Sequence, residues 1–336
     1  MGSDVKNVMY QISCGDVEGF QRLPCSNSVF PYTRPDDFRR TKLMSICSTL
    51  QRMPTLHLMP RILKEYETIL FLYKPPHWDC TIGNDGQSIN DADLYGKLLI
   101  ARYISLNLKN HLQPAIQNSE ERYGMCNRLD DVTSGIIIVA KTADASKRAR
   151  ASINAHATVK IYMALVHGVI DTHHVTVRKD ICCTLNGFMQ VCQTGEGRTC
   201  RRAHTQFRVI RKFAEHTLVA VRIFTGVTHQ IRVHMKSIGF PIVGDNKYSP
   251  PNVVWDGRLF LHSTYYALTP EVKCFCPLPP DLLNALNALE PHKAPKNYSD
   301  EPWLMNCFKP LILSTQSDGP GRPHTQSPPP PTVKKI

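Results

Sequence analysis

No stretch of this chain approaches the roughly 18 consecutive apolar residues that a membrane-spanning helix needs, so a bilayer-embedded role is not expected. The opening residues MGSDVKNVMY lack the apolar core of a secretory signal, and Lys6 breaks the N-myristoylation pattern. An intracellular, reducing setting is therefore expected, with nothing pointing to cytosol, nucleus or an organelle. Acidic residues are in short supply, 28 against 40 Lys and Arg, for a net charge of +12. Together with a pI near 9.2, that balance suits a polyanionic partner, since each cation that neutralises a phosphate releases counterions. None of the 12 cysteines falls into paired CxxC spacing, so a zinc finger or ribbon is not expected. Cys182-Cys183, Cys192 and Cys200 share one short stretch, and Cys274 and Cys276 form a CxC. They read as scattered thiols, with a metal module at Cys182 to Cys200 as the minor alternative. There is no internal repeat.

What the chain does contain is ordinary globular composition, 42% hydrophobic and 20% charged. Its excess positive charge gathers at Lys141, Lys147, Arg148 and Arg150, and again at Arg198, Arg201, Arg202, Arg208, Arg211 and Lys212. Thr68 to Tyr73 reads as a buried strand, stopped by Lys74-Pro75-Pro76. From Asp91 to about Gln113 the pattern turns helical, with Asp91 or Asp93 as cap and Leu94, Leu98, Leu99, Tyr103, Leu106 and Leu112 as the apolar face. Ile136 to Val139 is an unbroken apolar strand, and helix formers run from Asp144 to Asn154. Strands follow at Lys160 to Val166 and His174 to Lys179, then a locally paired couple at Ala203 to Val209 and His216 to Phe224. Thr228 is placed to cap a helix with the stripe Ile231, Met235 and Ile238, which Gly239 and Pro241 end. A strand at Arg258 to Leu268 and a short helix at Asp281 to Leu289 complete the pattern. Strands outnumber helices and several pair locally, which argues for an α+β class with a mixed, mostly antiparallel sheet and flanking helices. Residues 1–65 carry no motif, 66–290 hold the patterned elements and form the expected domain, and 291–336 are an extension with a Pro-rich tail from Ser314 onward that is expected to be disordered.

Two segments carry candidate chemistry. Asn127-Arg128-Leu129-Asp130-Asp131-Val132-Thr133-Ser134-Gly135 sets a carboxylate in a polar turn ahead of a rigid apolar strand. A turn or helix-cap aspartate is the structural alternative for Asp130. Thr225 to His234 is the second segment, where Arg232 could pair with Asp130 and hold it ionised. Tyr162, on the strand after Lys160, is either a core tyrosine or a stacking platform for an extruded base.

These segments resemble the signature motifs of the RluA family of pseudouridine synthases. The family's HRLDxxTSG matches Asn127 to Gly135, its KxYxAxVxG matches Lys160 to Gly168, and its TGRTHQIRVH matches Thr225 to His234. Pro241, Gly244, Asp245 and Tyr248, then Arg258 with Leu261 and His262, extend the likeness, and Lys74-Pro75 fits the opening KP. The resemblance implies an enzyme that isomerises uridine to pseudouridine in structured RNA, rRNA or tRNA, without metal or organic cofactor. It implies Asp130, Tyr162 and Arg232 as catalytic residues, and Arg128, Asn127, His229, Gln230 and Lys74 as RNA-binding or base-flipping residues. RNA is the expected partner, and a monomer the expected state. Two departures stand out: Asn127 where the family usually has His, and Val227 where it usually has Arg. They are the support for a rival reading, a catalytically silent RNA-binding protein on the same fold.

Overall fold

The computed structural model describes residues 59–80, 98–192, 199–249, 258–289, 298 and 300–313, and the chain divides into two compact units, Met1–Ala155 and His156–Ile336. In the first, β1 (Arg61–Glu65) turns back on β2 (Ile69–Lys74) through a tight turn closed by the Tyr66 N–H on the Ile69 carbonyl at 2.8 Å. The short strands β3 (Trp78–Asp79) and β4 (Leu98–Leu99) pair in parallel, and helix α1 (Ile100–Asn107) follows. Strand β5 (Ser134–Ala140) pairs antiparallel with β2, Tyr73 opposite Ile136 and Leu70 opposite Val139. Every residue of β2 and β5 is buried, as an unbroken Ile-Ile-Ile-Val run requires. Helix α2 (Ala143–Asn154) starts where the Thr142 hydroxyl accepts the Ala145 N–H at 3.1 Å.

The helix expected from Asp91 to Gln113 is observed only as α1. Asp91 and Asp93 lie outside the described residues, and past Asn107 the chain breaks into short 3-10 turns at Lys109–His111 and Pro114–Ile116. Leu106, counted into the apolar face, is 54% exposed, because no packed helical turn continues beyond it.

The second unit is built around β6 (Val159–His167), followed by β7 (His174–Arg178), β8 (Ile181–Cys183), β9 (Met189–Val191), β10 (His204–Lys212) and β11 (His216–Ile223). After helix α3 (Gln230–Ser237) come β12 (Leu261–Ala267), β13 (Lys273–Phe275), helix α4 (Pro280–Ala288) and helix α5 (Glu301–Leu313). The strand order β12-β6-β11-β10-β7, with β13 on β12, is antiparallel throughout, which gives the α+β class expected. Strands β8 and β9 form a separate small ladder.

Helix α3 does not use Thr228 as its cap. His229 takes that place in the left-handed region, at φ 56°, without a side-chain cap bond. Helix α5 falls in the extension to which the sequence pattern assigned no element, and it buries Leu304, Phe308 and Leu311. Arg222 of β11, fully buried, donates through Nη1 to the carbonyls of Leu311 and Ile312 at the end of that helix, where the helix dipole is negative. Burial pulls this guanidinium down to about 10. Burial, and secondarily the Arg222 charge, pulls Lys160 down to about 8. The Pro-rich tail lies outside the described residues.

Three histidines give the second unit a pH response. Burial lowers His167, His216 and His234, and the cross-strand neighbour His216 lowers His167 further. A histidine whose folded pKa is depressed takes up its proton more readily when unfolded, so stability should be complete above about pH 6.5 and fall through the window below it. Urea midpoints measured at about pH 7.5 and about pH 5.5 should drop on acidification. The drop should shrink in a His167→Asn/His216→Asn variant; an unchanged midpoint would contradict the assignment.

Candidate active site

In the first unit the residues around Asp130 are pinned from both sides. Upstream, Met125 bridges Val139 of β5, the Cys126 N–H donates to the Ile138 carbonyl at 2.8 Å, and the Asn127 Oδ1 accepts the Ile138 N–H at 2.7 Å. The Asn127 side chain thus acts as one more rung on the strand, carrying Arg128, Leu129 and Asp130 past its end. Downstream, the Asp130 carbonyl accepts the Thr133 N–H at 3.1 Å, which closes the turn into β5. The Asp131 carbonyl accepts from Lys74 Nζ at 2.9 Å and from the His77 N–H at 2.6 Å. Lys74 is fully buried, and its ammonium also donates to the carbonyls of Pro75 at 2.9 Å and Trp78 at 2.7 Å. An ammonium has three donors, so one side chain ties the end of β2, the following turn and the Asp130 loop together. Arg128 is exposed and Asp130 half-buried. Lys74, expected among the RNA-facing residues, is placed as an internal brace.

The second unit holds the other candidates. Tyr162 sits within β6, opposite Val221 on one side and Ser263 on the other, and is 6% exposed. Arg232, in the first turn of α3, forks onto Asp245: Nε to Oδ2 at 2.8 Å and Nη2 to Oδ1 at 2.8 Å. Asp245 is 2% exposed and also accepts the backbone N–H groups of Lys247 and Tyr248 at 3.1 and 3.2 Å. The Arg232 guanidinium lies 5.0 Å from the centre of the Tyr248 ring, and the Tyr248 hydroxyl lies 2.7 Å from His229 Nδ1. A bidentate fork under an aromatic face fixes a guanidinium more firmly than a single contact does. Beside the pairing with Asp130 that the sequence suggests for Arg232 stands Asp245, which the sequence shows only as part of a matching pattern. The Gly244-Asp245 pair followed by Tyr248 was the available signal for its role.

Gln230 is 3% exposed and its amide is fully engaged within the protein. Its Oε1 accepts from the Thr225 hydroxyl at 2.8 Å and the Val227 N–H at 3.1 Å, while Nε2 donates to the His204 carbonyl and the Thr205 hydroxyl, each at 3.0 Å. His234 continues the network. Its Nε2–H donates to the Lys179 carbonyl at 2.8 Å, which leaves Nδ1 to accept the Thr205 hydroxyl, also at 2.8 Å. These bonds staple the start of α3 to β10 and thereby set the direction in which Arg232 leaves the helix.

A sequence model of the RNA pseudouridylate synthase family matches residues 68–237, half of the chain. The chain belongs to that family. Its motifs and its relatives place it with the RluA type. The uncharacterized RNA pseudouridine synthase YlyB of Bacillus subtilis is 34% identical over 177 residues, 51% of this chain and 57% of the relative. The dual-specificity RNA pseudouridine synthase RluA of Vibrio cholerae is 37% identical over 139 residues, 41% of this chain and 56% of that one. The chain therefore spans less than two thirds of the length of these relatives. Human RNA Pseudouridylate Synthase Domain Containing 1 shares the fold, with a TM-score of 0.53, 20% identity, and coverage of 74% of this chain and 94% of that one.

Both departures from the pattern of the pseudouridylate synthase family have local explanations. Asn127 supplies the rung on Ile138. Val227 is 7% exposed and packs in an apolar cluster with Ile181, Ala203, Val233 and Tyr248, against which Met189 and Val191 also lie. The β8–β9 ribbon thus presses an apolar face on the loop before α3, and an arginine at 227 would put a charge into it. Val227→Arg should lower stability by about 1–3 kcal/mol in a urea titration; a neutral result would mean that the side chain escapes to solvent.

Proposed function

We propose that this chain isomerises uridine to pseudouridine in structured RNA, rRNA or tRNA, with Asp130 as the catalytic carboxylate. The observation that carries the proposal is the Asp130 loop itself. A half-buried carboxylate leaves a backbone held by Asn127 on one side and by the Lys74 ammonium on the other. A reacting group needs its position fixed before substrate arrives, and this brace supports that reading over a turn aspartate.

In this reading Asp130 acts on the ribose C1′ or assists rupture of the N1–C1′ bond. The uracil turns in the pocket, C5 bonds to C1′, and the proton displaced from C5 leaves while N1 acquires one. No net oxidation occurs, so the chemistry calls for no redox cofactor. Tyr162 would wall the pocket against the loosened base and relay the C5 proton. Unstacking the target nucleotide costs a few kcal/mol, which an aromatic face returns at about 1–3 kcal/mol per base. Arg232 would orient Asp130. Asp245 and Tyr248 are then positioning residues for Arg232, and Gln230 is one for the helix start.

Arg128, exposed beside Asp130, would help displace the target nucleotide, with His229 near it in role. The basic residues of the second unit, Arg201, Arg202 and Arg208 among them, would hold phosphates. A membrane role is not part of this reading, and the chain is taken to act as a monomer. The alternative, a catalytically silent RNA-binding protein on the same fold, predicts RNA binding without turnover, and one assay separates the two. The test is tritium release from transcripts carrying C5-tritiated uridine, using bulk cellular RNA sequences as templates. Release above the no-enzyme control is expected; its absence across rRNA and tRNA substrates would overturn the proposal.

A further inference from the structure

We infer that Cys182, Cys192 and Cys200 form a thiolate site for zinc on the β8–β9 ribbon. Strand pairing brings them together although their spacing in sequence follows no zinc pattern. Ile181 stands opposite Val191, and Cys182 opposite Gln190. On its other edge Ile181 exchanges two backbone bonds with Arg201, each 2.9 Å. Strand β8 is therefore the middle of three, with Cys200 beside Cys182. The Cys192 N–H donates to the Asp180 carbonyl at 2.8 Å, which puts Cys192 diagonal to Cys182. Side chains alternate across a strand, so with Ile181 in the apolar cluster the three cysteines share the opposite face.

Their sulfurs all lie within 4.8 Å of one another. Cys192 and Cys200 are joined as a disulfide, which engages two of the three clustered sulfurs. A metal accounts for all three. Zn–S bonds of about 2.3 Å at a tetrahedral centre set sulfurs about 3.8 Å apart, a separation inside the 4.8 Å span of the three once the Cys192–Cys200 bond is opened. A dithiol reductant would supply the two electrons and two protons that convert the disulfide to two thiols. Binding of Zn²⁺ to the three thiols then releases three protons and leaves a site of charge −1, with water as the fourth ligand.

Such an ion would stiffen the ribbon whose other face carries Ile181, Met189 and Val191 against Val227 and Tyr248. Met189 also donates its N–H to the Tyr248 hydroxyl at 3.2 Å. The zinc site does not depend on the catalytic reading, and its test does not use activity. Untagged full-length chain is reduced with a dithiol, incubated with zinc acetate, desalted, and its metal counted by mass spectrometry. About one zinc per chain is expected, largely lost in Cys182→Ser and in Cys192→Ser and retained in Cys126→Ser, whose thiol lies in the first unit. Cobalt(II) added to the reduced wild-type chain should give a thiolate charge-transfer band, which needs no variant to fold. Zinc retained in full by Cys182→Ser, or a reduced wild-type chain that takes up neither metal and simply re-forms Cys192–Cys200, would overturn the inference.

Discussion

Asp130→Asn should abolish pseudouridine formation while leaving RNA affinity at or slightly above the wild-type level. The substitution keeps the size of the side chain and removes its charge and nucleophilicity. Loss of a residue that reacts directly typically costs on the order of 10⁴-fold or more in rate, roughly 5–6 kcal/mol of transition-state stabilisation. The backbone bonds that hold the loop, from Lys74, His77, Thr133 and Ile138, involve no atom of the Asp130 carboxylate, so those bonds survive the substitution. On the proposed reading this surface meets phosphate, and removing one negative charge from it favours binding. Single-turnover tritium release together with a filter-binding titration separates the two effects. Activity within about tenfold of wild type would exclude the carboxylate from the chemical step, and a parallel loss of RNA binding would assign it to substrate capture instead.

Asp245→Ala should cost both stability and turnover. Arg232 and Asp245 side chains are 7% and 0% exposed, and deleting one partner of a buried ion pair leaves the other charged and unpaired, at about 3–5 kcal/mol. The same loss releases Arg232 from its fixed angle. A positioning residue acts on the reaction without touching substrate, so kcat should fall while KM for RNA stays near wild type. Arg232→Lys makes the complementary case: the charge survives, the fork does not, so kcat should drop with a smaller stability loss than in Asp245→Ala. Urea denaturation alongside steady-state kinetics checks both variants. Asp245→Ala with wild-type kcat would show that the Arg232 fork serves folding alone.

Much of this architecture was legible in the residues. The apolar runs of β2 and β5, the β10–β11 hairpin and the body of α2 all follow from local pattern, because the residue types within each segment suffice to mark it. Elements whose reason for existing lies far away in sequence were not legible. Helix α5 is an unremarkable stretch until Arg222, on a distant strand, meets its last carbonyls. The β8–β9 ribbon is too short for periodicity to register. At the site, motif likeness pointed to Asp130, Tyr162 and Arg232. The bracing roles of Lys74 and Gln230 could not be read that way, since a lysine beside prolines and a glutamine beside histidine look equally suited to binding RNA. Only their burial, 0% and 3%, assigns them inward. Thr228 illustrates a local rule overruled by tertiary structure: it has the chemistry of a cap, but Gln230 folds back onto the Val227 N–H and His229 opens the helix instead.

The Arg222 contact has a practical corollary for anyone cutting the gene into fragments. A fragment that stops before Leu311 would strand a guanidinium in the interior with its acceptors deleted, although every recognisable motif would still be present. The shortest piece of this chain that keeps those Arg222 contacts is therefore set by a pair of carbonyl oxygens far downstream of the last signature residue.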